Sequence, residues 1–142
     1  MPNWCDNKLV VRGEKKDMAK FLEVLGEKAT LSENKRLRDI LNAFIPIPDD
    51  HDESDWYNWH IENWGTKWDV ECYEDAQIED DHVELSFDSA WSPPVIWLEK
   101  VAKNYPKLKF ALKYDEPGMC FMGCAKGSNG KIEDRSIDYW EK

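Results

Sequence analysis

The stretch Val83-Glu84-Leu85-Ser86-Phe87-Asp88-Ser89-Ala90-Trp91-Ser92-Pro93-Pro94 decides the fold. In it Val83, Leu85, Phe87, Ser89 and Trp91 alternate with Glu84, Ser86 and Asp88, the period-two pattern of a strand with one face toward a core and one toward water. Ser92-Pro93-Pro94 then predicts a helix start, a hydroxyl cap followed by proline in the first turn. Pro94, Leu98, Val101, Ala102 and Tyr105 recur at helical spacing, and Pro106 ends the helix. Beyond it Leu108, Phe110, Leu112 and Tyr114 alternate with Lys107, Lys109, Ala111 and Lys113. Strand, helix and strand in direct succession make half of a split βαβ unit.

Working outward, Trp68, Val70 and Cys72 alternate with Asp69, Glu71 and Tyr73, which predicts the hairpin partner of the Val83 strand across a turn region from Glu74 to His82. Residues 4–12 read as the first strand, with Cys5, Leu9 and Val11 on one face and Trp4, Asp6, Lys8, Val10 and Arg12 on the other. Gly13 ends it. A helix follows from Lys15 to Lys28, with Met18, Phe21, Leu22 and Leu25 as its apolar stripe and Asp17 in the first turn, where the helix dipole favours an acid. Residues 29–63 read as an insertion. In it Leu37, Ile40, Leu41 and Phe44 repeat helically, and Ile45-Pro46-Ile47-Pro48 forces an extended path. Asp49 to Asp55 form an acidic run, and Trp56 to Trp64 predict a short helix capped by Ser54 or Asp55. Toward the C-terminus, Glu116-Pro117-Gly118 turns the chain, Met119 to Ala125 returns as a strand, and a last segment runs through Trp140.

The fold class this predicts is α+β: a ferredoxin-like split βαβ two-layer sandwich with an antiparallel sheet. It has an insertion after the first helix and one or two extra C-terminal strands. The four common strands are expected in the order 4-1-3-2, with both helices on one face. A chain of 142 residues, 42% hydrophobic, supports one core and is short for two, so residues 1–142 are expected to form a single domain. The topology also fixes which strand ends coincide. It brings Asn3 and Trp4, Lys67 to Asp69, Ser89 to Ser92, and Tyr114 to Glu116 to one edge. The candidate binding residues are therefore Asn3, Trp4, Trp64, Lys67, Trp68, Asp69, Trp91, Ser92 and Glu116.

The pieces Met1-Pro2-Asn3-Trp4-Cys5 with Asn7 and Gly13, Ile45-Pro46-Ile47-Pro48, Asn63-Trp64-Gly65-Thr66-Lys67-Trp68-Asp69, Phe87 with Ala90-Trp91-Ser92-Pro93-Pro94, and Tyr114 with Glu116 and Gly118 span nearly the whole chain. Through them the sequence resembles the YubB-like family of phage and conjugative-plasmid proteins. The resemblance implies a ferredoxin-like domain and an origin on a mobile element. It implies no reaction, and the acidic run Asp49 to Asp55 has no counterpart in it.

Composition narrows the function classes. A formal net charge of −10 opposes binding to a nucleic-acid backbone, where affinity comes from cationic side chains displacing counterions. The outward residues Glu84, Ser86 and Asp88 offer bases no stacking plane, which argues against RNA on the open sheet face. The start of the chain lacks the basic and apolar regions of a signal peptide, and no apolar run approaches the roughly 20 residues that span a bilayer. A cytoplasmic location and no membrane contact are expected, with Cys5, Cys72, Cys120 and Cys124 as reduced thiols. Cys120 and Cys124 on one strand face would stand about 13 Å apart, too far to share a metal. His51, His60 and His82 are scattered, and the acidic run lacks the glycine and final glutamate of a calcium loop, so neither metal nor cofactor is expected. No phosphate-binding loop, nucleophile elbow or HExxH is present.

Two functions fit. One is an acidic interaction module in which exposed indoles and the carboxylates at 49–55, 74–81 and 133–138 meet a basic host protein, such as a defence or nucleic-acid-binding factor. The other is a small-molecule site or enzyme with a pocket walled by Trp4, Trp68 and Trp91 and holding Lys67 or Glu116. For Lys67 and Asp69 a surface ion pair is the simpler role, and for Ser92 a helix cap.

Overall fold

Strand β1 (Trp4–Arg12) lies inside the sheet because its alternation is the cleanest in the chain: Cys5, Asn7, Leu9 and Val11 are buried, and the residues between them are not. The computed structural model describes residues 3–140. Helix α1 (Lys15–Lys28) follows as expected, burying Met18, Phe21 and Leu25, with Asp17 in its first turn and Lys28 in its last. Two short strands, β2 (Thr30–Leu31) and β3 (Leu37–Arg38), pair with each other. Helix α2 (Ile40–Phe44), a 3₁₀ turn at Glu53–Asp55 and helix α3 (Trp56–Asn63) complete this part of the chain. Strands β4 (Gln77–Glu79) and β5 (His82–Ala90), helix α4 (Val95–Asn104), and strands β6 (Lys109–Glu116), β7 (Phe121–Ser128) and β8 (Lys131–Asp138) follow.

The main sheet has six strands in the order β4-β5-β1-β6-β7-β8, every pairing antiparallel. Its first four strands are the ferredoxin-like 4-1-3-2 order read from the β6 side, and β7 and β8 extend that edge. The chain is thus a ferredoxin-like α+β fold. One buried cluster joins Leu9, Val11, Leu85, Phe87, Phe110 and Leu112 of the sheet to Met18, Phe21 and Leu25 of α1 and Trp97, Leu98 and Val101 of α4. Residues 29–63 take part in it: Ile40, Leu41 and Phe44 are buried, and the Phe44 ring stacks on Phe21 at 4.6 Å.

Several local expectations are corrected. Residues 68–73 form no continuous strand, because their backbone groups bond to different neighbours. The Val70 carbonyl accepts from the Asp39 N–H (3.1 Å), the Cys72 N–H donates to Leu37 (2.7 Å), and the Tyr73 N–H donates to Ser86 (2.8 Å). The hairpin partner of β5 is instead β4, inside the expected turn region. The helix expected from Leu37 starts only at Ile40, since Asp39 sits in the left-handed region at φ 61°. Helix α3 receives no side-chain cap from Ser54 or Asp55; the carboxylate of Asp52 takes the Ser54 N–H at the preceding turn. Helix α4 begins at Val95, after Pro94, without a side-chain cap, and Trp97 joins its buried face, which the apolar stripe had not included. Cys120 lies in a turn at φ 60° rather than in a strand with Cys124, and all four cysteines are free thiols. No helix among the described residues is long and apolar enough to cross a membrane.

Candidate functional site

The start of β1 and the end of β5 are paired, Trp4 opposite Ala90, and the Trp91 N–H donates to the Asn3 carbonyl (2.8 Å). Trp91 leaves the strand at φ 71°, a strained conformation for a bulky residue, and this turns its indole outward rather than inward as the alternation predicted. Behind this junction lies a layer of buried polar side chains. Thr66 Oγ1 donates to the Ala90 carbonyl (2.8 Å), Ser92 Oγ to the Gly65 carbonyl (2.6 Å), and Ser89 Oγ to the Ser92 carbonyl (2.6 Å). Asn7 Nδ2 donates to Ser89 Oγ (2.8 Å) and to the Cys5 carbonyl (3.0 Å). Glu116 is completely buried; its Oε1 accepts the Gly118 N–H (3.0 Å) and its Oε2 has no partner. A Cβ on Gly118 would lie 2.6 Å from Asn3 Cγ and 2.9 Å from Glu116 Oε1, so a larger residue in the β6–β7 turn would have to displace the Asn3 side chain or the Glu116 carboxylate. Burial, with Glu116 nearby, pushes the Cys5 thiol up to about 12, so it is no nucleophile at neutral pH.

Above this layer stand the indoles of Trp4, Trp68 and Trp91, respectively 45%, 38% and 43% exposed. The Trp4 and Trp68 rings are 6.1 Å apart, and Lys67 Nζ lies 4.5 Å from the centre of the Trp68 ring. Asn3, Trp4, Lys67, Trp68, Trp91, Ser92 and Glu116 therefore meet at one end of the sheet, with Ser92 half-buried and Glu116 fully buried. Two expected members do not belong to this surface. Trp64 is 1% exposed; its indole N–H donates to the Ile45 carbonyl (3.0 Å) and its ring stacks on His60 at 4.3 Å. Asp69 points to the start of α2, where its carboxylate accepts the N–H groups of Leu41 and Asn42, each at 2.9 Å. It supplies from a distance the cap that α2 lacks locally, and forms no pair with Lys67. Burial pushes the Asp69 carboxyl up to about 6 although three backbone N–H groups pull it down. Ser92 caps no helix; its hydroxyl ties the α4 entrance to Gly65.

The open face of the sheet carries a feature that alternation alone does not reveal. Register places Asp88, Asp6 and Asp115 side by side on β5, β1 and β6. The Asp6 carboxyl is raised, first by a hydrogen bond shared with Asp88, then by loss of water and by repulsion from both neighbours. Tyr73 donates its hydroxyl to Asp88 and Tyr139 donates its own to Asp115, each phenol being pushed up to about 12 first by that bond. A hollow of about 350 Å³ beside the row is lined by Asp6, Lys8, Tyr73, Ser86, Lys113 and Asp115 among others. The outward position of Asp6 and Asp88 was visible in sequence, but their adjacency depends on register. None of five surface hollows among the described residues is lined by Trp4, Trp68 or Trp91. The three indoles stand exposed, and Glu116 is fully buried. Glu79, Asp81 and His82 bring ligand atoms within 4.8 Å of one another at the β4–β5 turn, but the imidazole already lies 3.2 Å from Glu84 and 3.8 Å from Glu79.

The family model of the ferredoxin-like domain in Api92-like protein matches residues 63–142. The chain belongs to this Api92-like family. The matched segment holds β4 to β8 and α4, whereas β1, which lies between β5 and β6, comes from residues before it. An Api92-like fold is also seen in the crystal structure of a protein api92 from Yersinia pseudotuberculosis. It is similar at 11% sequence identity with a TM-score of 0.55, covering 100% of this chain and 99% of that one. At that identity the likeness speaks to fold alone. Comparison with curated proteins gives no match.

Proposed function

We propose that this Api92-like protein is an acidic interaction module that binds a basic surface of another protein through its indole rim and the adjoining carboxylate row. The observation that carries this reading is the pairing of exposed Trp4 and Trp68, 6.1 Å apart, with Asp6 two residues along β1 on the same face as Trp4. Indoles supply area at low entropic cost, and a negative field steers a cationic partner to them. The formal charge of −10 supports the same direction. Nucleic acid is disfavoured as a direct ligand, because phosphate would face Asp88, Asp6 and Asp115.

Within this reading the protein comes from a mobile element, and its partner is a host factor that itself handles nucleic acid, in the cytoplasm. The resemblance to phage and plasmid proteins motivates both points. The test is a binding titration against basic DNA-binding proteins of the host, with duplex DNA as competitor. Expected are a complex that weakens steeply with salt, displacement by DNA, and loss of binding in Trp4→Ala and Trp68→Ala. A complex indifferent to salt and to both substitutions would overturn the reading.

A further inference from the structure

A second hollow, of about 250 Å³, shares no lining residue with the open-face hollow. Its lining residues include Trp56, Trp59, His51, His60, Asp49 and Glu53. The aromatic walls are fixed from behind. Trp59 packs edge-on to buried Trp64 at 5.4 Å and His60 stacks on the same ring at 4.3 Å. His60 Nδ1 is 2.6 Å from the Lys67 carbonyl and donates to it, which fixes the orientation of the ring. Trp56 stands edge-on to His60 at 5.5 Å and His51 lies 6.0 Å from Trp59. His51 Nε2 is out of water without a hydrogen-bond partner.

The lining holds two carboxylates and neither lysine nor arginine, so an anion is repelled. A neutral apolar occupant would leave the carboxylates and the His51 nitrogen unanswered. A bare metal ion is poorly matched, because these groups are not among those whose ligand atoms gather within 4.8 Å. Electron-rich indole faces beside carboxylates are the environment in which organic cations are held. The volume is below the range of roughly 300–1,000 Å³ that takes a drug-sized molecule, which suits a head group.

We propose that this hollow binds an alkylammonium head group, presented either by a small molecule or by the lysine side chain of a protein. Its charge would face the Trp56 and Trp59 rings and the carboxylates of Asp49 and Glu53, and an N–H or neighbouring hydroxyl would reach His51 Nε2. The site shares no lining residue with the rim and touches it only through the Lys67 carbonyl that holds His60.

The test follows the indole N–H resonances while the protein is titrated with choline and, separately, with its neutral isostere dimethylbutanol. Choline is expected to shift the Trp56 and Trp59 signals and to bind at least about tenfold more tightly than the isostere. Trp56→Ala, and separately the double change Asp49→Asn with Glu53→Gln, should each weaken choline about tenfold without altering the thermal melt. Trp4→Ala should leave binding intact, so that failure here and failure of the rim are told apart. A trimethyllysine peptide binding more tightly than choline identifies a protein side chain as the source; the reverse identifies a small molecule. Equal binding of the isostere, shifts confined to Trp4, Trp68 and Trp91, or no shift at all would overturn the proposal.

Discussion

The molecule treats its tryptophans in two opposite ways. Trp64 and Trp97 are each 1% exposed, and both send the indole N–H to a backbone carbonyl of α2 or its C-cap: Trp64 to Ile45 and Trp97 to Leu41, each at 3.0 Å. Trp4, Trp68 and Trp91 stand in water over a sealed polar layer. A buried indole that satisfies its polar edge contributes to stability, and an exposed one contributes less and, under the proposed function, meets the partner. The difference teaches that the tryptophan-rich sequence divides its indoles between the core and the surface a short distance apart. The same five-residue motif, Trp64 to Trp68, contributes one indole to each.

The sharpest way to break the comparison is to truncate the buried pair. Trp97→Ala and Trp64→Ala should each cost about 3–5 kcal/mol in urea unfolding, from lost contact and the cavity left behind. A cost near zero at either position would mean that α2 is held by something else. Trp97→Phe should recover part of the loss, since it restores the ring but not the indole N–H to the Leu41 carbonyl, which keeps only the Ile45 N–H.

Asp69 holds the N-terminal end of the same helix, and its effect should come next. Its carboxyl is at about 6 in the folded chain against an ordinary 3.8, so the native state keeps the proton more firmly than the unfolded chain does. Stability should therefore fall as pH rises between about 4 and 6, by an amount on the order of 3 kcal/mol, and level off above that window. Asp69→Asn should flatten the profile. Urea midpoints taken across this range measure both, and an unchanged slope in the variant would remove Asp69 as the cause.

Much of this arrangement could be read before any coordinates. β1, β5 and β6 were legible because each buries one face only, so Leu9, Leu85 and Leu112 and their neighbours alternate with polar residues. Helix α1 was legible from Met18, Phe21 and Leu25. The meeting of Trp4 and Trp91 followed from the antiparallel pairing of β1 and β5, whereas Trp68 reaches Trp4 without the strand expected to carry it. What could not be read was the partition of Trp64 from Trp68. It depends on Gly65, which at φ 80° reverses the chain just after α3 and donates to the His60 and Ile61 carbonyls. Residues 68–73 misled because Asp69 and Val70 alternate like a strand while their hydrogen bonds serve α2 and Asp39. The row Asp88, Asp6, Asp115 was missed because register, not alternation, brings three strands' carboxylates together.

Between the two classes of tryptophan lies the buried polar layer, whose contribution should be intermediate. Thr66→Val keeps the shape but removes the donor to the Ala90 carbonyl, at an expected cost of about 1–3 kcal/mol. Because the same carbonyl ends β5, hydrogen exchange at Trp91 and Ser92 should rise more than exchange in β6. A uniform rise instead would assign Thr66 to global stability rather than to the rim.

The smallest stability effect belongs to the rim, and that is what makes it informative. Trp4→Ala and Trp68→Ala should change unfolding free energy by no more than about 0.5 kcal/mol, since truncating an exposed ring leaves no cavity. Trp68 carries the one qualification, because Lys67 rests on its face. If both variants unfold like the parent yet lose the salt-sensitive complex, the exposed indoles serve recognition. If either variant is destabilised as much as Trp97→Ala, the rim is part of the fold, and the distinction between the two sets of tryptophans fails.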